Sequence, residues 1–284
     1  MDKVDRSSPL LRYNSMPESL IRGAIVNELT RPEAPQSYSV LGLPMHLLPD
    51  YPQWLAQQIE YQSGCHVITL NAEMTMQAEH TPALANAIHQ ADLVIPDGAG
   101  IVFYMWLHGQ RILRSPGIEL AEALLQRSTQ AETPWSIFFF GGAPGVADAA
   151  ATVWQQRSPQ IQIVGTQNGY LKAEDEAEFL ATLKTLQPQL IYVGLGVPRQ
   201  ELWIAQHRYL CPHAVWIGVG GSFDIWAGTK TRAPEWFCKY HLEWLYRLYQ
   251  EPWRWKRMLA LPQFAWRSIL YRLTQKNPVS VRKA

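Results

Sequence analysis

Cysteine is scarce in this chain, and the little there is does not form motifs. Cys65, Cys211 and Cys238 make no CxxC, and no histidine stands at zinc-ligand spacing from them. Neither a disulfide framework nor a structural zinc site is expected, and a reducing, cytoplasmic setting fits best. An excess of one charge is lacking too. Lys+Arg 25 against Asp+Glu 24 leaves a net charge of +1, so there is no global pull toward nucleic acid. The N-terminus, Met1-Asp2-Lys3-Val4-Asp5-Arg6, has mixed charge and no apolar stretch behind it, so no secretory signal is read there. No run reaches the roughly 18 uninterrupted apolar residues of a spanning helix. A membrane, if met, is met at its surface. Internal repeats and low-complexity tracts are absent as well.

What is present is apolar and ordered in pattern. Hydrophobic residues make up 47% of the 284, enough for a sizeable core and against global disorder. Residues 1–36 are polar, with Pro9, Pro17, Pro32 and Pro35 scattered through them. They read as a flexible extension with one short helix near Glu18–Leu29. From Tyr38 onward, apolar runs of strand length alternate with helical patterns. Strands are expected at Val40–Leu43, His66–Leu70, Leu93–Ile95, Ser136–Phe140, Ile161–Val164, Leu190–Val193 and Val215–Val219. Helices are expected at Tyr51–Gln62, Glu119–Gln130, Gly145–Gln156, Ala173–Leu186 and Gln200–Arg208. This alternation implies an α/β, Rossmann-like core over residues 37–233, with a mostly parallel sheet and helices on both faces. Residues 234–284 differ. From Trp236 to the end there are ten Lys/Arg against two acids, Glu243 and Glu251, and five tryptophans. This reads as a basic, aromatic helical appendage, divided by Pro252 and Pro262.

Ligands of open α/β sheets bind at the carboxyl ends of strands, and four strand ends here carry small or polar residues. Asp97, in Ile95-Pro96-Asp97-Gly98-Ala99-Gly100, follows an apolar run and is placed to take a proton from a substrate. Its ordinary alternative is a helix cap or turn. Thr69 and Asn71 alternate with Leu70 at another strand end, their ordinary alternative being to cap the next helix. Gly142, in Phe140-Gly141-Gly142-Ala143-Pro144-Gly145, stands where a backbone can approach a phosphate at a helix N-terminus. The fourth group pairs Gly194–Glu201, with Arg199 and Gln200, with Gly218–Asp224, with Gly218, Gly220 and Asp224.

A nicotinamide-dinucleotide reading fails at its discriminating positions. Gly142-Ala143-Pro144-Gly145 lacks the full GxGxxG spacing, the strand at Ile161–Val164 ends without a ribose-binding acid, and Gly194-x-Gly196 is followed by Arg199. There is also no clear Asp-x-Asp after an apolar strand, so no metal site and no cofactor are expected. Any diphosphate would be met by helix N-termini and by arginines. Arg114, Arg199, Arg247, Arg254 and Arg257 are the candidates, although a surface salt bridge is the commoner role for any one arginine. Arg247, Arg254 and Arg257, spaced by seven and three, would share a helical face if Pro252 did not intervene.

The joint order of these pieces resembles the bacterial WecG/TagA/CpsF glycosyltransferases, from about Tyr38 to about Met258. The matching stretches are Thr69-Leu70-Asn71, Ala91–Gly98, Phe140–Gly145, Val193–Glu201, Ile217–Asp224, Ala227-Gly228 with Arg232-Ala233-Pro234, and Leu242–Leu248 with Gln250-Glu251-Pro252. The resemblance implies transfer of a sugar, typically N-acetylmannosamine, from a UDP donor to a polyprenyl-diphosphate-linked GlcNAc, with inversion and without a metal. It implies Asp97 as catalytic base, with Thr69 and Asn71 lining the pocket. Gln200, Arg247, Arg254 and Arg257 would lie near the acceptor or diphosphate, and Asp224 in the nucleotide region. Departures are Arg114–Glu119, where Thr-Gly and an Asp are more usual, Gly221 for a frequent alanine, and the extra leader. They bear on the sugar and acceptor, not on the reaction class.

The expectation is therefore an inverting, metal-independent glycosyltransferase of cell-surface polysaccharide or teichoic-acid-type synthesis. Its partners are a UDP-sugar donor, a polyprenyl-linked acceptor and the inner leaflet of the cytoplasmic membrane, with a homo-oligomer left open. Its basic, Trp-rich helices suit an anionic leaflet, the ordinary alternative being a helical cap with tryptophans in the core. The rival from another class is a non-catalytic nucleotide- or lipid-binding surface module.

Overall fold

The computed structural model describes residues 34–240 and 242–274. The helix expected near Glu18–Leu29 lies outside the described residues. Order begins with an antiparallel hairpin, β1 (Gln36–Val40) and β2 (Leu43–Leu47). The single strand expected at Val40–Leu43 is wrong, because those residues straddle the hairpin's turn, the end of β1 and the start of β2. Leu41 and Gly42 both have positive φ, 49° and 92°, as a two-residue type I′ turn requires. A leucine in that conformation is uncommon, so the usual Asn-Gly signal was missing.

The remaining strands form one parallel sheet of six, in the order β4-β3-β8-β7-β5-β6. They are β3 (Cys65–Leu70), β4 (Leu93–Pro96), β5 (Ser136–Gly141), β6 (Gln162–Gln167), β7 (Leu190–Gly194) and β8 (Val215–Gly218). The expected strands fall on these, β6 extending further through Gly165-Thr166-Gln167. The central strands are largely apolar runs because helices cover both faces, whereas the edge strand β6 alternates exposed and half-buried residues. Alternate residues serve opposite faces, as a period of two dictates. Val67, Ile95, Phe139, Tyr192 and Ile217 pack on one side. Ile68 and Val94 pack on the other, in the layer that contains the hairpin, and Phe138, Ile191 and Trp216 continue that face.

The first layer is built by α1 (Tyr51–Glu60), α5 (Gly117–Ser128), α6 (Val146–Arg157) and α9 (Ser222–Trp226). The second uses α2 (Ala72–His80), α3 (Pro82–His89), α4 (Ala99–Leu107), α7 (Ala173–Leu186) and α8 (Arg199–His207). Side-chain caps start two of these helices. Asp50 caps α1 by accepting from the Gln53 amide at 2.7 Å, with Pro52 in the first turn. Asn71 caps α2 from Met74 at 2.9 Å.

β4 is an edge strand, and the hairpin guards it. The Val94 amide donates to Nδ1 of His46 at 2.9 Å, which occupies a donor that would otherwise be open for pairing. Burial lowers the His46 pKa against the opposing influence of Asp92, so the neutral, accepting imidazole is favoured.

The C-terminal stretch forms α10 (Glu235–Lys239), α11 (Glu243–Gln250), a 3-10 turn (Pro252–Arg254), α12 (Trp255–Met258) and α13 (Ala260–Thr274). Pro252 opens the 3-10 turn as a break. Pro262 does not divide the stretch, contrary to expectation. It sits in the first turn of α13, where its missing N–H has no helical partner to lose. Phe264 of α13 is buried in the second layer against Tyr104, ring centroids 6.2 Å apart.

Candidate active site

The carboxyl ends of β3, β4, β7 and β8 surround one cleft, where the topology of an open parallel sheet places a ligand. Thr69, Asn71, Asp97, Gln200, Gly218 and Gly220 line it from the core. Arg247, Arg254 and Arg257 line it from the C-terminal segment. A second cleft adjoins it at the ends of β5 and β7 and includes Gly142, Arg199 and Asp224, with Gly220, Arg254 and Arg257 common to both. Of the thirteen residues singled out in the sequence, only Arg114 lines neither cleft.

Asp97 follows β4 directly, its amide donating to the Leu70 carbonyl at 2.8 Å. That bond ties the loop to the neighbouring strand and aims the side chain into the cleft. Its carboxylate has no hydrogen-bond partner among the described residues. Burial pushes its pKa up to about 6, with Arg247 and Arg114 pulling down and Glu243 and Glu119 pushing up. A carboxylate so tuned is a competent base near neutral pH. Thr69 is nearly buried at the end of β3. Gly117 lies against it, and a Cβ there would sit 3.1 Å from the threonine methyl. Asn71 both caps α2 and lines the cleft, so its two readings are compatible.

Arg114 works from behind. It hydrogen-bonds Glu243 at 3.1 and 3.3 Å and the Cys238 carbonyl at 3.0 Å. Burial works to raise the Glu243 pKa, but Arg114 with Cys238 and Arg247 outweighs it and the group stays low. Glu243 is thus an anion beside Asp97.

The three C-terminal arginines reach the cleft from three separate elements, α11, the 3-10 turn and α12, rather than from one helical face. Glu251 receives Lys230 at 2.8 Å and Arg254 at 2.7 Å, and Arg257 pairs with Glu73. Arg247 has no ion pair among the described residues. Arg199 is exposed and, among the described residues, hydrogen-bonds the Gly169 carbonyl at 3.4 Å. The sequence reading did not single out Lys230, Glu243 or Glu251. In the sequence the two acids stand out only as part of the C-terminal charge balance. Among the described residues no group of three or more His, Cys, Asp or Glu is arranged to hold a metal.

One base, an unpaired cation beside it and further cations along a cleft can assist attack by a hydroxyl and stabilise an anionic leaving group. Comparison with known sequences agrees in kind. A sequence model described as the glycosyl transferase WecG/TagA/CpsF family matches residues 38–278. A Bacillus spizizenii protein named N-acetylglucosaminyldiphosphoundecaprenol N-acetyl-beta-D-mannosaminyltransferase is 35% identical over 207 residues, 72% of this chain and 79% of that one. Proteins of the same name from Bacillus subtilis (33% over 208 residues, 73% and 80%) and Staphylococcus aureus (34% over 202 residues, 71% and 78%) are similar too.

Proposed function

The chain belongs to the WecG/TagA/CpsF glycosyltransferase family, and on that premise we propose that it transfers N-acetylmannosamine or a related sugar from UDP to a polyprenyl-diphosphate-linked sugar, with inversion and without a metal. The acceptor class rests on the relatives' names, which specify N-acetylglucosaminyldiphosphoundecaprenol. The observation that carries the chemistry is the Asp97 carboxylate, unpaired at the end of β4 and raised toward neutrality.

In this reading an acceptor hydroxyl attacks the anomeric carbon from the face opposite the diphosphate. Its proton passes to Asp97, the new glycosidic bond forms, and the carbon–oxygen bond to UDP breaks with its electron pair. A single displacement inverts the centre. The other carboxylates in the main cleft, Glu73, Glu243 and Glu251, are held in ion pairs, which leaves Asp97 as the base and no second carboxylate free as a nucleophile. Arg247, Arg254, Arg257 and Lys230 would stabilise the charge that develops on UDP. The adjoining cleft, with Gly142, Arg199 and Asp224, would take the nucleotide.

Residues 37–233 would supply the base and the nucleotide site, and residues 234–284 would supply the arginines and contact acceptor and membrane. No helix among the described residues is long and apolar enough to cross a membrane. Exposed Trp236, Trp253, Trp255, Leu259, Trp266 and Leu273 accompany the basic residues of that segment, a composition suited to the surface of an anionic leaflet on the cytoplasmic side. The test is a panel of UDP-sugars offered with lipid-linked GlcNAc, the product identified by mass spectrometry. A glycolipid one N-acetylhexosamine heavier, formed with release of UDP, is expected. UDP binding with no product from any donor would instead favour a binding module.

A further inference from the structure

Two loops form one wall of the main cleft. One follows β7 and contributes Gly196 and Val197, and the other follows β8 and contributes Val219, Gly220 and Gly221. Their amides turn inward onto a single atom. Oε1 of Gln200 accepts from the Gly196 amide at 3.1 Å and from the Gly220 amide at 3.0 Å. Both glycines have positive φ, 74° and 52°, so each loop is bent into a conformation that other residues rarely adopt.

Gln200 can serve two donors only if its oxygen faces the loops. Flipped, its NH2 group would confront two N–H groups with no acceptor between them. Glu201 decides the orientation. It is 2% exposed, and its Oε1 accepts from Nε2 of Gln200 at 2.7 Å. Burial pushes the Glu201 pKa up to about 7, but Oε1 can accept whether the carboxyl is ionised or carries its proton on Oε2, so it draws the NH2 end toward itself and leaves the oxygen for the loops. Gly218, just ahead of the second loop, makes room for the pair. A Cβ there would lie 2.4 Å from Nε2 of Gln200 and 3.2 Å from Oε1 of Glu201. The second carboxylate oxygen of Glu201 is buried and has no partner among the described residues, an arrangement costly enough to need a reason.

We propose that Glu201 is a positioning residue, which fixes the Gln200 amide so that its oxygen clamps the two glycine loops and sets the wall of the sugar-nucleotide cleft. Gln200 then acts chiefly through the backbone it holds. The clamp itself stands on geometry alone. Its consequence for turnover rests on the glycosyltransferase reading.

Amide hydrogen exchange at Gly196 and Gly220 tests the clamp without any substrate, with the β5 amides of Phe138–Phe140 as an internal reference for global stability. In Glu201→Ala and Glu201→Asp, both glycine amides should exchange about tenfold faster or more while the β5 amides stay protected. The aspartate is one methylene too short to reach Nε2. Glu201→Gln should keep the loops protected, because its amide oxygen can still accept. Gln200→Met supplies the same comparison if the alanine variant does not fold, and should free both loops together. Turnover of UDP-N-acetylmannosamine with lipid-linked GlcNAc should fall in the alanine and aspartate variants, with a rise in KM for the donor, and recover most of the way in the glutamine variant. Unchanged exchange at both loops in a folded alanine or aspartate variant overturns the proposal, as does a Glu201→Gln protein whose loops open as far as those of Glu201→Ala. Loops that respond as expected in a protein that turns over no UDP-sugar would uphold the clamp and count against the transferase reading alone.

Discussion

Arg114 grips Glu243 through both ends of its guanidinium, at 3.1 and 3.3 Å, and so joins the loop ahead of α5 to the start of α11. Both partners also act on Asp97, the arginine lowering its pKa and the glutamate raising it. Arg114→Gln removes the first influence and leaves the second less compensated. The acidic limb of kcat/KM should therefore move to higher pH in this variant. A pH–rate profile indistinguishable from the parent's would show that the pair does not tune the base.

If Asp97 is the base, as proposed, it should set that limb. With a pKa raised to about 6 by burial, the base is ionised above that pH and protonated below it. Activity should fall by about tenfold per pH unit on the acid side of the limb, since only the carboxylate can take the proton. Asp97→Asn should lose about 10²-fold or more in turnover while still binding UDP. Near-normal turnover by the folded variant removes Asp97 from the base role.

On the proposed reading Arg247, Arg254, Arg257 and Lys230 carry the charge on the departing diphosphate, so turnover should persist in excess chelator. Loss of activity in chelator that magnesium or manganese restores would assign that charge to a metal instead.

Phe264 ties the C-terminal segment to the core. It is 1% exposed and packs beside Tyr104 and Gly100. Phe264→Ala should lower the unfolding free energy by about 3–5 kcal/mol, read from denaturant midpoints at an unchanged slope. A loss well under 1 kcal/mol would mean that α13 is dispensable to the fold.

The proposed membrane contact lies on the exposed face of the same segment. The full chain should sediment with anionic vesicles and much less with neutral ones, and salt should weaken the association, each Lys/Arg near the surface contributing about 1 kcal/mol. Replacing exposed Trp253 and Trp255 by alanine should reduce sedimentation further. Vesicle binding indifferent to lipid charge, salt and these tryptophans would leave the face without that role.

The parallel sheet was legible because its central strands are largely apolar runs ending in Gly, Asn or Asp, a pattern that burial on both faces imposes. Asp97, Thr69 and Gln200 could be located for the same reason, since strand ends are where such sheets bind ligands. The hairpin turn was not legible, as Leu41-Gly42 lacks the residues that usually adopt positive φ. Pro262 looked like a break because a proline inside a helix and one in its first turn read alike until the helix start is known. The common direction of Arg247, Arg254 and Arg257 was anticipated from helical spacing, but three short elements produce it. Glu201 resembled any acid in the first turn of a helix. Only burial and its bond to Gln200 set it apart, and neither is written in one-dimensional spacing.

The guarded edge of the sheet has a further consequence. β4, which delivers Asp97, is flanked by a strand on one side and on the other by a hairpin whose His46 fills a backbone vacancy. β7 and β8, which deliver the glycine loops, are hemmed in by strands on both sides. Geometry can be retuned on the Asp97 side by altering a hairpin, whereas any shift on the glycine side must propagate through the middle of the sheet. Tolerance to substitution should therefore be asymmetric, wider around Asp97 at the margin of the sheet than at the glycine loops in its centre.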